Sequence, residues 1–110
     1  MHIVPSPKFG KEIKHLLKKY PSLPADFAGL LASLQTEPRQ GTPLGRDCFK
    51  IRMAITSKGR GKSGGARVIT CLKVVADTIY LLSIYDKSEK ENLPDVELDA
   101  VLRELGLWDA

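Results

Sequence analysis

Lys50 and Arg52 stand two apart in the alternating stretch Phe49-Lys50-Ile51-Arg52-Met53, and side chains two apart on a β-strand project to the same side. Two cations on one strand face suit an extended anion such as a phosphate backbone. Arginine can grip a phosphate through two parallel N–H bonds, and lysine acts as a point charge. Further on, Lys58-Gly59-Arg60-Gly61-Lys62-Ser63-Gly64-Gly65 combines Lys58, Arg60 and Lys62 with four glycines. Glycine lets a main chain approach a ligand closely, so this stretch reads as a flexible basic hairpin tip able to clamp a nucleic-acid backbone. Arg67 follows at once, at the start of the next apolar run. The last group is Tyr85-Asp86-Lys87-Ser88-Glu89-Lys90. Tyrosine, lysine and glutamate at a strand end could stack a base, steady a phosphate or move a proton. Tyrosine and lysine ordinarily titrate near pH ~10, so either would need a depressed pKa beside other cations to act as a base.

Each group also has a plainer reading. Lys50 and Arg52 could be a solvated outer face, the glycine-rich stretch a flexible connector, and Tyr85 to Lys90 a polar loop ahead of a helix. Gly61-Lys62-Ser63 invites comparison with a phosphate-cradling P-loop, but that motif needs a glycine at position 56, where Thr56 stands, and a helix next, where an apolar run with strand character follows. Nucleotide binding is rejected on that ground. Histidine would be the natural proton shuttle, but His2 lies near the N-terminus and His15 on the basic side of the first helical stretch; neither falls in the strand-end groups, and both read as surface residues. Trp108 reads as a packing anchor near the C-terminus.

The elements that would position these groups can be read from periodicity. Ile3-Val4 suggests a short first strand. Phe9, Ile13, Leu16, Leu17 and Tyr20 recur at helical spacing, with Lys11, Lys14, His15 and Lys18 on the other face. Pro21 ends that helix, and Ser22 can cap a second whose stripe is Phe27, Leu30, Leu31 and Leu34. Residues 37–45 are rich in breakers and read as a loop. Strands are expected from Phe49, over 67–75 and over 79–85, the last two joined by a turn at Asp77-Thr78. Val96, Leu98, Val101, Leu102 and Leu105 then mark a final helix. The expected order is β-α-α-β-β-β-α, an α+β fold with an antiparallel sheet, its helices packed on one face and its cationic face left open.

The bulk composition sets limits. At 110 residues and 27% charged, the chain has the size and balance of one globular domain, 1–110. No apolar run approaches the ~18–20 residues that span a bilayer, and the N-terminal residues lack the apolar core of a signal peptide. A cytoplasmic protein without membrane partners is therefore expected. Cys48 and Cys71 fit no metal-ligand spacing and read as reduced thiols. The net charge of +4 is unevenly spread. Residues 46–67 carry +6, whereas residues 86–110 carry −5. A concentrated basic block points to a polyanionic partner. The acidic tail could fold back and mask it.

On these residues the chain resembles the RelE/ParE toxin superfamily, and within it the HigB-like branch of RelE-type mRNA interferases. The likeness rests on Lys14-His15-Leu16-Leu17-Lys18-Lys19-Tyr20-Pro21-Ser22-Leu23, Gly41-Thr42-Pro43-Leu44-Gly45, Phe49-Lys50-Ile51-Arg52, the segment 57–69 and Tyr80-Leu81-Leu82-Ser83-Ile84-Tyr85-Asp86-Lys87. The resemblance implies a toxin of a type II toxin–antitoxin system that cuts mRNA in the ribosomal A site without a metal or other cofactor, and a cognate antitoxin as partner. The ribose 2′-hydroxyl would attack the adjacent phosphate. The family's strand-borne cations fall on Lys50 and Arg52, its arginine at the next strand on Arg67, and its basic residue after the last strand on Lys87. Lys58, Arg60, Lys62 and Lys90 would add RNA contacts. A tyrosine that some members use as proton carrier would fall near Leu93, which cannot serve; Tyr85 is the nearest substitute and Glu89 the second. Two other readings stand beside this one: a ParE-like toxin that inhibits gyrase, and an RNA-binding module without turnover.

Overall fold

The computed structural model describes residues 1–107; Trp108 lies outside them. The elements are β1 (His2–Pro5), α1 (Pro7–Lys19), α2 (Leu23–Thr36), β2 (Thr42–Gly45), β3 (Cys48–Met53), β4 (Ala66–Lys73), β5 (Thr78–Asp86) and α3 (Asp95–Glu104). Two 3-10 turns, Thr56–Lys58 and Lys62–Gly64, punctuate the glycine-rich connection between β3 and β4. The five strands form one sheet in the order β1-β5-β4-β3-β2.

The α+β class holds, with three differences from the sequence reading. First, β1 runs parallel to β5, Ile3 opposite Ile79, while every other pair is antiparallel. The two helices between β1 and the rest of the sheet give the chain the crossover that a parallel neighbour requires. Second, the breaker-rich loop contains an extra edge strand. β2 pairs with β3, Thr42 opposite Lys50, and tolerates Pro43 because an edge strand has one side free of ladder bonds. Arg46 and Asp47 turn the chain with φ of 54° and 64°, left-handed conformations at both positions of a two-residue hairpin turn.

Third, the helices do not share one face. Phe9, Leu16, Leu23, Leu30 and Leu34 of α1 and α2 pack with Ile51, Val68, Ile79 and Ile84 of the sheet. On the opposite face Leu98, Val101 and Leu102 of α3 pack with Cys48, Ile69, Cys71, Leu82 and Tyr85. Seven of the eight β4 residues and eight of the nine in β5 are buried, a pattern that requires cover on both sides of the sheet. The two thiols, Cys48 and Cys71, are cross-strand partners in that second core and are free of disulfide. Among the described residues, no helix is long and apolar enough to cross a membrane.

The helix ends follow their local chemistry. Ser6 caps α1, its hydroxyl accepting from the Phe9 N–H at 3.0 Å. Ser22 stands at the cap position of α2 but makes no cap bond. Its hydroxyl donates instead to Asp26 and accepts from the Ser57 N–H, fastening α2 to the end of the β3 connection.

Candidate functional site

α3 covers only part of its face of the sheet. Beside it lies a concavity of about 310 Å³ lined by Thr42, Lys50, Arg52, Arg67, Lys87, Glu91 and Asn92. Strand register explains the convergence. Arg52 pairs directly with Arg67, and Arg67 with Tyr85 on the next strand, so these side chains share one face. Lys50 joins them from two residues back along β3. Lys87 comes just after β5, and its N–H donates to the Gly65 carbonyl at 3.1 Å, tying that segment to the glycine-rich connection.

The four cations are held differently. Arg67 is buried, at 6% exposure, and its guanidinium donates to the carbonyls of Lys62 and Ala66 at 3.0 and 3.2 Å and of Ser63 at 3.1 Å. It therefore clamps the glycine-rich connection onto the sheet while its charge borders the concavity. Lys50 is half-buried and donates to the Asn92 side chain at 3.2 Å. Arg52 and Lys87 are exposed. The arrangement offers two exposed cations, one steered by an amide and one fixed from behind, a layout suited to stabilising charge that develops on phosphate oxygens.

Tyr85 is not in this group. It lines two neighbouring clefts and not the concavity with the four cations. Its hydroxyl is buried without a hydrogen-bond partner of good geometry. Burial raises its pKa, outweighing the lowering effects of the Arg67 charge and the Leu93 backbone, the reverse of what a base role needs. Glu89 lies away as well, paired with Lys19 at 2.8 Å. His15 is exposed on α1 with Nε2 3.9 Å from Glu89, and His2 sits in the far edge strand.

The other cations named as RNA contacts disperse. Lys58 is committed to an ion pair with the buried Asp86 at 2.8 Å and lies over the Tyr20 ring. Lys62 lines a separate hollow with Arg52 and Asp26, against α2. Arg60 is exposed on the connection. Lys90 pairs with Glu97 of α3 at 3.2 Å and lies over the Tyr85 ring.

Thr42, Glu91 and Asn92 complete the concavity and were not singled out from sequence. Thr42 belongs to the unrecognised β2, where it faces Lys50. Glu91-Asn92 follow Lys87 on the same segment, and proximity in sequence to that cation was the available signal. Among the described residues, no group of three or more His, Cys, Asp or Glu is placed to hold a metal ion.

No family model and no curated protein matches the chain. Solved structures do. A double arginine-to-alanine mutant of the E. coli toxin RelE in the free state superposes with a TM-score of 0.60 at 14% identity, covering 94% of this chain and 96% of that one. At that identity the likeness is one of architecture: the chain has a RelE-like fold.

Proposed function

We propose that the protein is a ribosome-dependent mRNA endoribonuclease toxin of a type II toxin–antitoxin system. The observation that carries the reading is the convergence of Lys50, Arg52, Arg67 and Lys87, from three separate stretches of chain, on one concavity. The RelE-like fold supports it. Attack of a ribose 2′-hydroxyl on the adjacent phosphate builds negative charge on the phosphoryl oxygens, and fixed cations stabilise that charge in the transition state. The products are a 2′,3′-cyclic phosphate and a free 5′-hydroxyl. In this reading the ribosomal A site presents the strand and supplies the in-line geometry. A cognate antitoxin is the natural partner of the basic block, through an acidic or amphipathic segment. The site of action is the cytoplasm.

Expression in growing cells tests the reading. Wild type is expected to arrest growth and leave transcripts cut within translated codons, as mapped by primer extension. Arg52→Ala and Lys87→Ala, both at exposed positions, are expected to lose about 10²-fold in cleavage, the usual cost of removing one transition-state charge stabiliser. Growth arrest with intact transcripts and damaged DNA would favour a gyrase inhibitor. Salt-sensitive RNA binding with no cut product, even with ribosomes present, would favour a module without turnover.

A further inference from the structure

We infer that Glu91 is the proton acceptor of the cation-lined concavity. This rests on the RNA-cleavage reading above and assigns the one role that reading leaves open. Generating the nucleophile requires a group that removes the 2′-hydroxyl proton, and it must stand within hydrogen-bond reach of the sugar whose phosphate the cations hold. Of the seven residues lining the concavity, four are cations and Thr42 and Asn92 are neutral, which leaves the Glu91 carboxylate as the sole base. Each other candidate is elsewhere. The Tyr85 hydroxyl is buried outside the concavity, Glu89 is paired with Lys19, and both histidines lie away from it. Glu12 serves the opposite face of the sheet, accepting from the Ser83 hydroxyl and the Ile84 N–H. Asp95 lines the adjoining cleft and opens α3, where its charge complements the helix dipole.

Glu91 is exposed and makes no hydrogen bond or ion pair among the described residues, although four cations border the same hollow. Its neighbour Asn92 is held by Lys50 at 3.2 Å, and Lys87, four residues earlier, is tied to Gly65. The segment carrying Glu91 is thus fixed at both ends while its carboxylate stays unengaged. In the step this allows, a Glu91 carboxylate oxygen takes the 2′-hydroxyl proton as the 2′-oxygen bonds to phosphorus. The P–O5′ bond breaks with its electron pair, and the departing 5′-oxygen takes a proton from water. Glu91 then returns its proton to solvent, and no electron acceptor or donor is involved.

Single-turnover cleavage of mRNA on purified translating ribosomes, at saturating protein, tests this with wild type, Glu91→Gln, Glu91→Asp and Glu89→Gln side by side across pH. Glu91→Gln is expected to cut about 10²-fold more slowly with unchanged affinity for the ribosome, and to lose the limb of the pH–rate profile on which wild type declines in acid. Glu91→Asp should recover part of the rate, and Glu89→Gln should match wild type. A Glu91→Gln protein that cuts as fast as wild type, or binds more tightly and cuts faster, overturns the inference and makes Glu91 a mere repeller of phosphate. A wild-type protein that makes no cut overturns the cleavage reading itself, and this inference with it.

Discussion

Asp86 ends β5 with its carboxylate fully buried, and three side chains converge on it: Lys58 at 2.8 Å, the Tyr20 hydroxyl, and the Ser88 hydroxyl at 2.7 Å. Burial alone would raise its pKa, but the hydrogen bonds from Lys58, Tyr20 and Ser88 outweigh it and hold the carboxyl well below the usual carboxylate range. A folded-state pKa below the unfolded one stabilises the fold above the unfolded value, about 4, and that contribution fades as pH falls below it. Asp86→Asn, which leaves Lys58 without its partner, should therefore cost about 3 kcal/mol at pH 7. The gap to wild type should narrow below pH ~4 in denaturant melts; a gap constant from pH 7 to pH 2 would contradict this. Tyr85 belongs to the same scale. With its hydroxyl buried, without a hydrogen-bond partner of good geometry and outside the concavity, Tyr85→Phe should cleave within about threefold of wild type, and a 10²-fold loss would return it to the chemistry. The shared face of Lys50 and Arg52 was legible in sequence because alternation fixes which residues of one strand project together, whereas Arg67 joins them through the β3–β4 register, which its own sequence does not fix. Lys58 and Lys90 were not separable from them, since composition shows a cation and not the carboxylate that will engage it.

At the scale of elements, β4 and β5 carried a signal that alternation hides. Residues 68–72 and 79–85 are apolar but for Thr70 and Ser83, which marks strands covered on both faces and so calls for a helix on each side. The second cover is α3, and its placement leaves the concavity at its margin. β2 had no such signal: its four residues are all exposed, and its Pro43 and Gly45 are the residues that also make loops. It is a strand because β3 offers an open edge, a tertiary cause outside its own sequence. The glycine-rich connection is less free than its composition suggests. Arg67 and Lys87 both bond to its main chain, and a Cβ at Gly65 would come within 2.2 Å of the Met53 carbonyl oxygen. Gly65→Ala should lower stability by about 1–3 kcal/mol and, by displacing the carbonyl that Lys87 N–H uses, reduce cleavage. Thermal melts and cleavage rates that both match wild type would show that the connection does not position the site.

Over the whole molecule, charge and cover are arranged against each other. The +6 block supplies three of the four cations of the concavity, while α3 carboxylates pair with basic residues outside it, Glu97 with Lys90 and Asp99 with Arg46. No α3 residue lines the concavity. The helix is thus a layer of the fold first, with Leu98, Val101 and Leu102 closing the second core. Removing residues 95–110 should therefore expose that core and lower the melting temperature by more than about 10 °C. A truncated protein as stable as the full chain, with higher RNA affinity, would make the helix a mask instead.

The four-cation concavity is tested most directly on reconstituted translating ribosomes, by sequencing the RNA ends made by wild type and by an Arg52→Ala, Lys87→Ala double variant of unchanged melting temperature. Wild type should yield A-site cuts bearing 2′,3′-cyclic phosphate and 5′-hydroxyl ends, and the double variant should yield essentially none. Equal cutting by both proteins, or 5′-phosphate ends, would contradict it.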